Sequence, residues 1–61
     1  MTLIQTPNLA DHDGFYQELI AAHKGLTAEQ SAALNIQLVF ILSNHIGDRQ
    51  LLSQAIDLAS S

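Results

Sequence analysis

Leu34 to Leu42 reads Leu-Asn-Ile-Gln-Leu-Val-Phe-Ile-Leu, too apolar to leave a helix with one wet side. At ~100° per residue, Ser31, Leu34, Leu38, Ile41, Leu42 and His45 fall on one side of such a helix. Ala32, Ile36, Val39, Phe40 and Ile46 cover most of the other. Only Gln30, Gln37 and Asn44 make a clean polar line. The ends are marked. Thr27-Ala28-Glu29-Gln30 has the form of a capping box, with Thr27 as N-cap and Gln30 able to reach back to it. Gly47 supplies a left-handed stop. The pattern predicts a helix from Ala28 to Ile46.

Two shorter helices flank it. Asp11 is a good N-cap, and Asp13 adds negative charge to the first turn that follows. A helix from His12 to Lys24 places Phe15, Tyr16, Leu19, Ile20 and Ala22 on one broad arc, and Gly25 ends it. The connection to Thr27 is then about two residues, which predicts an antiparallel helical hairpin. Asp48 caps a third helix, Arg49 to Ala59, with Leu51, Leu52, Ala55, Ile56, Leu58 and Ala59 apolar. Ser60 and Ser61 are expected to fray. Residues 1–10 contain a Pro7-Asn8 turn signal and three apolar anchors, Leu3, Ile4 and Leu9. They read as an extended arm, lying on a neighbouring helix or subunit or frayed at the terminus. The expected fold is all-α: an arm at 1–10, then a three-helix domain at 11–61, consisting of a hairpin and a short third helix.

Length and composition argue that this domain is incomplete alone. The chain has 61 residues and no Cys, which excludes disulfides and thiolate metal sites as a source of stability. A compact domain of this size buries roughly 60% of its unfolded surface. Charged residues are 13% of the chain, against roughly 25% in ordinary soluble domains. Hydrophobic content, at 48%, is ordinary. The shortage is of surface charge, which points to surface covered in the working state. Two short neighbours leave one apolar sector of the central helix open, and the simplest cover is a second copy. The expected assembly is a helical-bundle dimer or tetramer. Its interface would draw on Leu34, Leu38, Ile41, Leu42, Phe40 and Asn35. The net charge is −4, with only Lys24 and Arg49 positive. That argues against nucleic acid and anionic membranes as partners. The longest apolar run, Leu38 to Leu42, is far short of a membrane span, and no secretory signal pattern opens the chain. A cytoplasmic location is the default expectation.

Candidate chemistry is thin. His12, His23 and His45 are at least eleven residues apart, so none forms the i, i+4 pair of a zincin helix. Asp11, Asp13 and Asp48 could join His12 and His45 toward one end of the hairpin. The stronger structural role for His23 and His45 is to satisfy carbonyls at helix C-termini. Asn35 lies inside an apolar sector and needs hydrogen-bond partners there. It serves either as a bond across helices or as a polar handle in a ligand pocket. Asn44-His45-Ile46-Gly47-Asp48 holds several functional residue types, but a helix stop and restart needs the same Gly and Asp. A small-molecule pocket would sit near Asn35, His45 and Tyr16, with Asn44 as a further ligand candidate. There is no glycine-rich phosphate loop and no nucleophile on a sharp strand–helix turn. No catalytic residue, metal site or cofactor is predicted.

Five segments carry a family resemblance: Pro7-Asn8-Leu9-Ala10-Asp11, Gly14-Phe15-Tyr16, Ala21-Ala22-His23, Ala32-Ala33-Leu34-Asn35 and Asn44-His45-Ile46-Gly47-Asp48. Together they resemble a family of small bacterial proteins catalogued as a domain of unknown function. The resemblance covers nearly the whole chain. Members of that family are often encoded near flavin-dependent oxidoreductases of aromatic catabolism, so the resemblance implies a free-standing small bacterial protein with an accessory role near an enzyme, and it assigns no activity. The functional expectation is a non-enzymatic interaction protein, acting through homo-oligomerisation or as an accessory subunit of a larger enzyme. A small-molecule binder is the alternative.

Overall fold

The computed structural model describes residues 2–61. Regular structure among them is entirely helical: α1 His12–Ala22, α2 Ala28–Ile46 and α3 Arg49–Ser60. Local caps of the kind the sequence predicts set four of the six helix ends. Asp11 accepts from the Gly14 amide at 3.2 Å and opens α1. At α2 the capping box is complete: the Gln30 N–H donates to Thr27 Oγ1 at 3.1 Å, and the Thr27 N–H donates to Gln30 Oε1 at 3.0 Å. Asp48 accepts from the Leu51 amide at 3.1 Å and opens α3. Gly47 closes α2 at φ 68°, its N–H bonded to the Ser43 carbonyl at 2.9 Å. These bonds satisfy amides and carbonyls that a helix end otherwise leaves bare.

The C-terminus of α1 differs from the expectation by two residues. The Leu19 carbonyl, which would take the His23 backbone N–H in a continuing helix, is held instead by the His23 ring, Nδ1 to O at 2.7 Å. The backbone amides of His23 and Lys24 then bond three residues back, to Ile20 at 3.0 Å and Ala21 at 3.1 Å. That tightened turn ends the helix, and Gly25 at φ 77° redirects the chain. The link to α2 is therefore His23–Thr27, longer than the two residues expected. At the other end, α3 runs one residue further than expected. The hydroxyls of Ser60 and Ser61 bond back to the carbonyls of Ile56 and Leu58, each at 2.8 Å, so the last turn is held rather than frayed.

Packing is sparse. No two helices lie against each other along their length. Among the described residues, Leu51 is the one buried hydrophobic residue, at 8% exposure. Leu3, Leu19, Leu34, Leu38 and Leu52 are half-buried. Residues 2–9 contain neither helix nor strand, and of the three apolar anchors there Ile4 and Leu9 are exposed. The radius of gyration is 13.2 Å, against roughly 10.5 Å for a compact domain of this length. The accessible surface is 5414 Å², where a compact fold of this mass exposes roughly 3,900 Å². The chain thus buries roughly two-fifths of its unfolded surface, short of the roughly 60% expected of a closed domain.

In α2 the asymmetry is sharp. Leu34 and Leu38 turn toward the chain's own interior. Ile36, Val39 and Phe40 stand 57%, 59% and 68% exposed. Ile41, Leu42 and Ile46 are exposed as well.

Because the helix ends carry so much of the order, they should be sensitive to single changes. Thr27→Ala is expected to lower unfolding free energy by about 1 kcal/mol. Gly47→Ala should cost about 1 kcal/mol through its left-handed backbone, with Gly47→Asn milder. Denaturant titration followed by circular dichroism, at one fixed protein concentration, measures all three.

Candidate functional site

The most developed polar arrangement joins the end of α1 to the second turn of α2. His23 follows α1 directly and is half-buried. Its Nδ1 meets the Leu19 carbonyl at 2.7 Å, and its Nε2 meets Asn35 Oδ1 at 2.9 Å. A carbonyl only accepts, so Nδ1 carries a proton. In the neutral ring Nε2 is then an acceptor, which the Asn35 amide meets by presenting its NH₂ group. In the imidazolium Nε2 donates, and the amide presents its oxygen. Which way the amide faces follows the hydrogen-bond network, and either orientation keeps the bond. Asn35 is thus a bond across elements, with His23 as its partner.

Asn35 also sits at the edge of a shallow concavity of about 410 Å³ that it lines with Ile36, Val39 and Phe40. All four residues belong to α2. The concavity is a surface depression beside one helix, not a pocket closed between several. Tyr16, Asn44 and His45, the other ligand candidates, are not among its lining residues. Tyr16 is exposed on α1. Asn44 and His45 are exposed in the last turn of α2, and among the described residues neither makes a side-chain hydrogen bond in the way His23 does. Along α2, Asn35 and His45 are separated by about 15 Å of rise. The four ligand candidates are therefore not gathered at one place. A second shallow concavity of about 370 Å³ is lined by Gln5 to Leu9 and His12.

The acidic residues do not form a metal site. Among the described residues, no three His, Asp or Glu side chains stand close enough to hold an ion. His12 and Asp13 approach at 3.4 Å, both well exposed. Arg49 donates to the Ser53 hydroxyl one helical turn on. Among the described residues, no helix is long and apolar enough to cross a membrane.

The comparisons with known proteins agree with the family resemblance in the sequence. A model of proteins of unknown function, DUF2783, matches residues 3–61. The chain belongs to the DUF2783 family. No curated protein and no solved structure matches it.

The helical period made Asn35 conspicuous, but not its partner. His23 lies twelve residues away, and only the turn at Gly25 brings the two together. Ile36 and Val39 were legible as part of the second apolar side of the helix, though not as the side left open. If the His23–Asn35 bond couples α1 to α2, a double-mutant cycle of His23→Ala and Asn35→Ala should give a coupling of about 0.5 kcal/mol, the lower end for an exposed neutral bond. Urea unfolding of the four proteins reads it, and additive single effects would show that the two helices are not linked there.

Proposed function

We propose that this DUF2783 protein is a non-enzymatic interaction module that completes its fold by assembling with copies of itself. The supporting observation is its surplus of open surface. The chain exposes 5414 Å², roughly 1,500 Å² more than a compact monomer of its mass. If each of two chains hid that surplus, the contact would bury roughly 3,000 Å² in total, within the range of obligate homodimers. A transient contact needs less. The surface in question is also the right kind. From Gln30 to Ile46, α2 carries no Asp, Glu, Lys or Arg, so two chains of net charge −4 meet there without abutting like charges. A dimer or tetramer satisfies this equally.

Docking on a larger enzyme is the second form of the same reading. It draws on apolar residues away from the exposed strip of α2: Tyr16 and Ile20 on α1, Ile56 and Leu58 on α3, all exposed. Small-molecule binding has weaker support. The concavity beside Asn35 comes from a single helix, and its only polar group is already engaged by His23.

Size-exclusion chromatography with light scattering on the purified chain at micromolar concentration tests the proposal. The expected mass is twice the 6.6 kDa of the monomer or a higher multiple. The unfolding midpoint should rise with protein concentration, because assembly stabilises the folded state by mass action. A folded monomer whose cooperative unfolding is independent of concentration would overturn it.

A further inference from the structure

The exposed strip of α2 has an internal order that self-assembly alone does not require. Ala32, Ile36, Val39, Ser43 and Ile46 are spaced alternately four and three residues apart, the repeat that keeps one line of a helix against a partner helix. Ile36, Val39 and Ile46 are exposed at 57%, 59% and 40%. Ala32 is exposed and Ser43 half-exposed. The line contains no charged residue, and it lies away from Leu34 and Leu38, which the chain itself partly covers.

The sizes along this line are arranged around its middle. Val39 is central. Three residues before it stands large Ile36, and four after it small Ser43. Seven before stands small Ala32, and seven after large Ile46. In a parallel pair each residue meets itself, so small would meet small at Ala32 and Ser43 and leave gaps. In an antiparallel pair with Val39 at the centre, Ala32 meets Ile46 of the second copy and Ile36 meets Ser43 of the second copy, within one residue of level. Each isoleucine of the line then faces a small residue, with Val39 meeting itself at the centre, and the same contacts occur twice, as a two-fold axis demands. Interdigitation of large with small is how close packing is reached between helices.

We infer that α2 pairs antiparallel with α2 of a second copy, with Val39 on the two-fold axis. This rests on the self-assembly reading above and names its seam. Phe40, one position on and 68% exposed, lies beside the axis and meets Phe40 of the second copy across it. The His23–Asn35 bond borders the seam on the opposite flank, where it engages one end of the Asn35 amide within the chain.

The chain has no Cys, so single-cysteine variants of the full chain report contacts directly. Helix axes at 8–10 Å bring Cα atoms on the axis to about the separation a disulfide needs. Under mild oxidation Val39→Cys is expected to cross-link to itself. Ala32→Cys and Ile46→Cys should each stay unlinked alone and cross-link to one another when mixed. The Ile36→Cys and Ser43→Cys mixture reads the same seam by a second route, should Val39→Cys fail to fold. Gln17→Cys, on the outer side of α1, is the unlinked control. Self-linking of Ala32→Cys and Ile46→Cys would overturn the antiparallel seam in favour of a parallel one. If light scattering gives a dimer but neither Val39→Cys nor either mixture links, this seam is wrong while self-assembly stands. A monomeric wild type overturns both.

Discussion

Burial of α2 is the constraint on which the rest of this structure depends. Helices of eleven and twelve residues such as α1 and α3 are marginal in water, and most of the stability of short helices in proteins comes from packing an apolar face. Here α2 supplies apolar surface in two directions, and the chain shelters only Leu34 and Leu38 in part, leaving Ile41 and Leu42 of the same side exposed. Leu51 is buried. Caps and turn residues then hold the ends of each helix. They specify where helices start and stop, but contribute little to holding one helix against another.

This division explains how much of the molecule could be read from its sequence. A capping box needs four consecutive residues, and Thr27 to Gln30 contains all of its parts, so the start of α2 was evident. So were Asp11, Asp48, Gly25 and Gly47, each acting within one helical turn. The end of α1 was not. It depends on the His23 ring taking the Leu19 carbonyl from the backbone, and helical propensity does not register such a competition. Nor could a helical wheel choose between two similar apolar sides of α2. That choice lies in tertiary placement, which half-buries Leu34 and Leu38 but leaves Ile41 and Leu42 exposed. The absence of side-by-side packing between α1 and α2 was hidden for the same reason, since a short linker with good caps looks the same whether or not the helices close on each other.

The low charge content takes on a definite location in the structure. Along the chain, the charged side chains fall within residues 11–29 and 48–57, on either side of an uncharged stretch from Gln30 to Ile46. Net charge of one sign keeps copies apart at long range, within about a Debye length of ~8 Å in physiological salt. Close contact along the neutral stretch is free of that repulsion. In the proposed pair, orientation would be set by charge at the rim and by shape in the middle, a division also found in interfaces with an apolar centre and a polar border.

The scarcity of long-range contacts within the chain has a kinetic consequence. Each helix can form on its own in about a microsecond, and a small loop such as His23–Thr27 closes faster still. Helix formation and loop closure within one molecule are therefore fast. In the self-assembly proposed above, the cover over Ile36, Val39 and Phe40 would arrive by diffusion, so that step alone would take a rate set by how crowded the solution is with copies of the chain.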